Sequence, residues 1–228
     1  PNVISYSAAI SACDRGAKWQ SSLGLLAEMH ANRVEPNTIS YNAAIDSCGR
    51  GLQWAWALQL LSDMPQRLIA PTARTLAAAL RACEESLQWR AALCAVEELG
   101  KQRLRPDHYV YSAAIGACEK CQRWESAIAL FDEARLLAVK QDALMYGAVI
   151  SACEKGNRWQ KALGIMSIMP NMRLNPKEIS YNVAISACEK GRQWDVAVSL
   201  LRTVSARALA PDEFSYNAAI TACEKGKQ

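Results

Sequence analysis

One short word returns along this chain at a fixed interval of 35 residues. SYSAAISACDRG begins at 5, SYNAAIDSCGRG at 40, VYSAAIGACEKC at 110, MYGAVISACEKG at 145, SYNVAISACEKG at 180 and SYNAAITACEKG at 215, with a looser copy, TLAAALRACEES, at 75. Trp19, Trp54, Trp89, Trp124, Trp159 and Trp194 keep the same interval, and only Trp56 stands outside it. Such self-similarity marks an array of small supersecondary units, each stacked on its neighbours. The chain divides into units 1–35, 36–70, 71–105, 106–140, 141–175 and 176–210, with a partial seventh at 211–228, read together as one repeat domain over 1–228.

Within a unit the apolar residues fall on two helical stripes. Tyr6, Ala9, Ile10 and Cys13 follow the i, i+3, i+4, i+7 spacing of a first buried face. Gly16, with Gly51, Gly156, Gly191 and Gly226 as equivalents, stands where a helix wants a left-handed C-terminal residue. A second stripe runs through Trp19, Leu23, Leu26 and Met29 and ends before Pro36. The equivalents of that proline are Pro71, Pro106, Pro176 and Pro211, with Gln141 as the exception, and proline is tolerated where a helix begins. Each unit is thus a helical hairpin too small to bury both stripes alone, and the fold class is all-α, a solenoid of helix-turn-helix repeats. The paired small residues Ala8–Ala9, Ala43–Ala44, Ala113–Ala114 and Ala218–Ala219 let first helices approach closely.

Composition narrows the function classes. The chain is 51% apolar with a net charge of only +4, so it has a core to bury, and net charge alone does not imply nucleic acid. No apolar run reaches the roughly 18 residues of a membrane span, so no membrane partner is expected. The first residue falls at a repeat boundary, so the chain reads as an excised segment without its address. Cys13, Cys48, Cys83, Cys118, Cys153, Cys188 and Cys223 share one repeat position and read as small buried thiols, since equivalent points on stacked hairpins lie too far apart for disulfides. Cys118 and Cys121 form a CxxC, but zinc needs two more ligands and His108 is the one histidine nearby, so no metal or other cofactor is expected. This cysteine usage suits a reducing compartment. Neither a nucleophile with a histidine partner nor a glycine-rich phosphate loop is present, and the chain is not expected to be an enzyme.

The 35-residue period and the SYNAAI…ACEKG…W…A…L…M…P grammar resemble the pentatricopeptide repeat family over the whole chain. Tetratricopeptide repeats have a 34-residue period and a different tryptophan placement. The resemblance implies a right-handed superhelix that binds single-stranded RNA at about one base per repeat, acting in organellar RNA processing, stability or translation, in a mitochondrion or chloroplast. In that family a first-helix residue and the residue after the interrepeat proline read each base. They map onto Ser7 with Asn37, Asn42 with Thr72, Ala77 with Asp107, Ser112 with Asp142, Gly147 with Lys177, and Asn182 with Asp212, while Asn217 has no second member. By the family's code the site is A, pyrimidine, any, G, any, U. The alternative reading makes these polar groups helix caps or solvated positions.

Two further columns bear on RNA. Ile4, Ile39, Tyr109, Leu144, Ile179 and Phe214 match the family's base-sandwiching residue, with Arg74 in the third unit; they either stack on bases or pack between hairpins. Arg15, Arg50, Lys120, Lys155, Lys190 and Lys225 place a cation at the end of each first helix except the third. These are candidates for phosphate contact, with a salt slope of up to roughly −4; they also complement the helix dipole. The third unit keeps Leu80, Cys83 and Trp89 but carries Arg74, Ala77 and Glu85 on its reading face, which suggests a spacer. The competing class is a protein-interaction or architectural solenoid with protein partners, for instance in a ribonucleoprotein.

Overall fold

The computed structural model describes residues 2–101, 106–207 and 212–226, and Pro211 of the interrepeat prolines lies outside them. Among the described residues there are 13 α-helices and no strand. The first helices of the successive units are α1 (Val3–Arg15), α3 (Thr38–Arg50), α5 (Ala73–Glu85), α7 (His108–Lys120), α9 (Ala143–Lys155), α11 (Glu178–Lys190) and α13 (Glu213–Lys225). The second helices all begin on the repeated tryptophan: α2 (Trp19–Ala31), α4 (Trp54–Gln66), α6 (Trp89–Lys101), α8 (Trp124–Leu136), α10 (Trp159–Ile168) and α12 (Trp194–Ala206). A 3-10 turn, Met169–Met172, follows α10 and contains Pro170, whose missing N–H and bulky ring stop the α-helical ladder.

The first helices other than α11 start on a side-chain cap. Asn2, Asn37, Thr72, Asp142 and Asp212 each accept from the backbone N–H three residues on. Pro36 and Pro71 therefore stand outside the helix, one residue before the cap.

The repeated glycine corrects a sequence expectation. Gly16 and Gly51 have φ of −87° and −82°, so neither is left-handed. The left-handed residue is the next one, Ala17, Leu52, Leu87, Gln122, Asn157 or Arg192 in successive units, with φ between 51° and 57°. There the chain closes with the paired bonds of a Schellman turn, Lys18 N–H to Cys13 C=O at 3.0 Å and Ala17 N–H to Asp14 C=O at 3.0 Å. One position earlier, where the third and fourth units carry Ser86 and Cys121, the glycines of the other units give room for the tryptophan of the preceding unit to pack closely. A Cβ on Gly51 would stand 2.3 Å from Trp19 Cδ1, and one on Gly156 or Gly191 would stand 2.3 Å from the same atom of Trp124 or Trp159. Gly16 has no tryptophan before it, and a Cβ there meets nothing closer than 3.7 Å.

The chain forms two compact units, Pro1–Ala117 and Cys118–Gln228. In the first, α3 packs against α1 and α5, and α2 and α4 lie against these first helices. Its core holds Ile10, Leu26, Met29, Tyr41, Ile45 and Met64, each contributing about 1.5–3 kcal/mol of burial. In the second, α11 packs against α9, α10, α12 and α13. Ile185, Cys188, Ala197 and Ala222 form part of its core.

None of the nine cysteines forms a disulfide. Cys48, Cys83, Cys118, Cys153 and Cys188 are buried, and burial pushes the Cys48, Cys153 and Cys188 thiols up to about 11 and those of Cys83 and Cys118 to about 12. Cys94 is exposed. Among the described residues no helix is long and apolar enough to cross a membrane, and no group of three or more His, Cys, Asp or Glu side chains is arranged to hold a metal ion.

Candidate nucleic-acid interface

Residues two apart on a helix point to nearly opposite sides. With Tyr6, Tyr41 and Tyr111 buried in the core, Ile4, Ile39 and Tyr109 are turned outward. The whole column is exposed: Ile4 78%, Ile39 64%, Tyr109 61%, Leu144 77%, Ile179 75% and Phe214 55%. Packing between hairpins, the competing use for these side chains, is not what the structure shows. Arg74, their counterpart in the third unit, is exposed as well.

Three residues further along each first helix, on the same face, stand the candidate readers. Asn182 meets Asp212 directly, Nδ2 donating to Oδ2 at 2.9 Å. The hydroxyl of Ser215 lies between them, in contact with Asn182 Oδ1 and 2.8 Å from Asp212 Oδ1. The first unit repeats the arrangement. Ser7 Oγ is 2.8 Å from Ser40 Oγ, which donates to Asn37 Oδ1 at 3.1 Å. Thr75 Oγ1 donates to Asn42 Oδ1 at 2.6 Å and lies 2.9 Å from Thr72 Oγ1. In three cases, then, the reader of one repeat and the cap of the next share a hydroxyl on the first turn of the next helix.

The other pairs differ. Ser112 Oγ is buried without a hydrogen-bond partner among the described residues. Asp142 caps α9, accepting from Met145 N–H at 2.8 Å, and Asp107 accepts from Val110 N–H at 3.1 Å. Ala77 and Gly147 have no polar side-chain group, Lys177 makes no side-chain cap, and Asn217 is exposed. The capping alternative therefore holds for Asn37, Thr72, Asp107, Asp142 and Asp212, while Ser7, Asn42 and Asn182 are mid-helix groups bonded to the next repeat. Asp212 accepts from the backbone N–H and hydroxyl of Ser215 and from Asn182, and these bonds hold its carboxyl below the usual carboxylate range.

The cation column has partners the sequence reading left out. Arg50 pairs with Asp14 (Nε to Oδ1, 3.1 Å), Lys155 with Glu119 (2.5 Å), Lys190 with Glu154 (2.6 Å) and Lys225 with Glu189 (2.7 Å). Each cation thus reaches back to the acid of the preceding repeat, and Ser151 and Ser186 donate to the same carboxylates. Burial pushes the Asp14 carboxyl up even beside Arg50, as expected for a desolvated acid whose partner is half in solvent. Arg81 binds Asp46 at 2.7 Å, so the third unit continues the charge pairing from a different position. At least four of the six candidate cations, Arg50, Lys155, Lys190 and Lys225, exchange a carboxylate for a phosphate if they contact RNA.

Sequence reasoning missed the bridging hydroxyl of Ser40, Thr75 and Ser215. Its signal was the serine or threonine before the repeated tyrosine or its counterpart Leu76, replaced by Val110 and Met145 in the units that lack the bridge.

The geometry has its counterpart among known proteins. A pentatricopeptide repeat domain model matches residues 1–51 and 129–191. A model of the single PPR repeat matches 39–67, 109–136 and 179–204. The whole of the third unit, 71–105, falls outside both. No curated protein matches. Among solved structures, the pentatricopeptide repeat protein PPR10 from maize is similar at a TM-score of 0.72 and 23% identity, covering 96% of this chain and 32% of that one. The chain thus spans about a third of the length of PPR10. The PPR domain of Arabidopsis thaliana protein-only RNase P 1, solved in complex with tRNA, is similar at a TM-score of 0.66 and 11% identity, covering 81% of this chain and 95% of that domain. Nuclear proteinaceous RNase P 2 from A. thaliana gives the same TM-score and identity, with 80% of this chain and 41% of that one covered. These likenesses show a common fold, and with the half of the chain that the domain model matches, the protein belongs to the pentatricopeptide repeat family.

Proposed function

We propose that this chain binds single-stranded RNA with sequence preference, one base per repeat, and serves RNA processing, stability or translation in a mitochondrion or chloroplast. The observation that carries the reading is the column of exposed apolar side chains from Ile4 to Phe214, each three residues before a reader. An apolar group held in water at every first helix but α5, which has Arg74, has a use when a flat base stacks against it. The readers supply polar discrimination. Asn182 spends one amide hydrogen on Asp212 and sets Oδ1 against the Ser215 hydroxyl, whose one proton it shares with Asp212, leaving one amide hydrogen and one oxygen lone pair to offer, the complement of the donor and acceptor on a uracil edge. The role is binding: the similar RNase P 1 structure is of that enzyme's PPR domain.

The phosphate contribution is smaller than a free cation column implies. Arg50, Lys155, Lys190 and Lys225 are ion-paired, so the salt slope is expected to be shallower than about −4. The test is binding to an RNA embedding A-C/U-N-G-N-U beside a scrambled RNA and the same DNA at two salt concentrations, with Asn182→Ser shifting the last preference from U towards G. Equal weak binding of all three nucleic acids, with the variant silent, would sink the proposal. The second reading, a protein-interaction solenoid, is favoured by an apolar cleft of about 480 Å³ lined by Leu58, Leu61, Pro65 and Cys94 of α4 and α6; it gains if that outcome is found.

A further inference from the structure

The pair Gly147 and Lys177 carries no accepted preference, yet a cavity opens beside it. An apolar cavity of about 460 Å³ lies between α9 and α11, with Gly147 and Ala148 lining it, Leu144 and Ile179 beside it, and Lys177 and Ser180 contributing polar groups together with Ser151 and Glu119, which are bonded to each other. This volume is within the range of sites that enclose small planar ligands. A Cβ on Gly147 would meet nothing within 4 Å, so the space an Asn or Ser side chain fills in other units is vacant here. Leu144 and Ile179 are two of the exposed apolar residues, placed to hold a flat ring between them.

Glu119 is held by Ser151 and Lys155, whereas Lys177 and Ser180 are free in a way their counterparts are not. Asn37, Thr72, Asp107, Asp142 and Asp212 are all tied to the amide three residues on. Lys177 has no acceptor with which to cap α11 and makes no side-chain bond among the described residues. A cation at a helix N-terminus also opposes the macrodipole, so neither local use of the position accounts for lysine. Ser180 corresponds to the bridging Ser40, Thr75 and Ser215, but Gly147 gives it nothing to bridge to, and its hydroxyl has no hydrogen bond among the described residues.

We propose that this gap is a guanine-selective base site, an inference that rests on the RNA reading above. The vacancy at Gly147 favours a purine over a pyrimidine. An ammonium is donor-only, and among the purines guanine presents the adjacent acceptors O6 and N7 that lysine recognises, whereas adenine puts an amino group where O6 would be. Lys177 donates to that acceptor pair, Ser180 takes a remaining polar edge, and Leu144 and Ile179 clasp the ring. The fifth base of the site becomes G, giving A, pyrimidine, any, G, G, U.

The experiment is fluorescence anisotropy of this chain on four RNAs, A-C-A-G-X-U with X as G, A, C or U, and on a fifth with the last U replaced by A. Guanine at X is expected to bind about tenfold tighter than adenine, and tighter still than either pyrimidine. Lys177→Met keeps the aliphatic stem and is expected to bring G and A within about twofold, leaving the last-base preference intact. Gly147→Ser is expected to lower the purine preference by closing the gap. Circular dichroism and melting verify that both variants fold. Equal binding for all four X, a pyrimidine preference, or retention of the G preference in Lys177→Met overturns the inference, while a persisting loss on replacing the last U shows that the RNA reading stands without it. Indifference at both positions overturns both.

Discussion

Two neighbouring reading sites of the second compact unit share a frame and a serine and differ in two reading side chains. At α11 and α13, Asn182, Ser215 and Asp212 close on one another through hydrogen bonds. At α9 and α11, Gly147, Ser180 and Lys177 leave a cavity. The frame beneath is nearly identical: Tyr146 with Ile150 and Cys153 is buried at one site, and Tyr181 with Ile185 and Cys188 at the other. The buried side of a first helix and its reading side are therefore separable, so the face can change without loss of the fold. The open site has a local cost, because α11 lacks a side-chain N-cap worth about 1 kcal/mol.

The largest effect comes from breaking the frame common to both sites. Gly191 has a helical φ of −78°, where alanine would by itself be preferred by about 0.5–1 kcal/mol. Its Cβ, however, would stand 2.3 Å from Trp159 Cδ1, and overpacking of this kind costs about 1–3 kcal/mol. Gly191→Ala is expected to lower the melting temperature, whereas Gly16→Ala, with nothing closer than 3.7 Å, leaves it level or higher. Equal melting temperatures for the two would refute the tryptophan seat.

Next comes conversion of the open site into the closed one. Gly147→Asn with Lys177→Asp rebuilds the set around Ser180, and the fifth base is expected to change from G to U by about tenfold in the anisotropy panel. A smaller effect follows from Ser215→Ala, which removes the bridge but leaves the direct Asn182 to Asp212 bond. Stability falls by about 1 kcal/mol in urea melts and the preference for U drops a few-fold; no change in either would show the hydroxyl to be a bystander.

The smallest effect is a titration. The folded-state pKa of Asp212 is depressed below its ordinary 3.8, first by the Ser215 backbone N–H and then by its hydroxyl. Stabilisation from the ionised carboxylate is thus complete above about pH 4 and lost as pH falls through the depressed value. The side-chain carbon of Asp212 is expected to titrate below 3.8 by NMR, and to move back towards it in Ser215→Ala. Identical midpoints in the two proteins would contradict this.

Much of the fold was legible because a hairpin repeat writes its core twice per unit. The apolar stripes, the 35-residue step and the tryptophan register locate both helices of each unit. The glycine was misjudged for a physical reason: its constraint comes from Trp19, Trp124 or Trp159 in the preceding repeat, and a local rule about helix ends has no access to a neighbour's ring. Which acid each cation meets was hidden in the same way, since the acid 36 residues earlier that binds Lys155 or Lys190 is a stranger in sequence and a neighbour in the stack.

The amino-acid sequence by itself determined the repeat, the all-helical class, the buried thiols and the columns from which a reading face is built, because periodicity and polarity are properties of one helix. Only the tertiary structure decided which members of those columns are spent and which are left to offer. It caps helices with Asn37 and Asp212, pairs Arg50 and Lys225 with acids, exposes Ile4 and Leu144, and leaves Lys177 and Ser180 without partners in an open gap. Whether a polar group is satisfied depends on the hairpin packed beside it, and that neighbour is supplied only when the repeats stack.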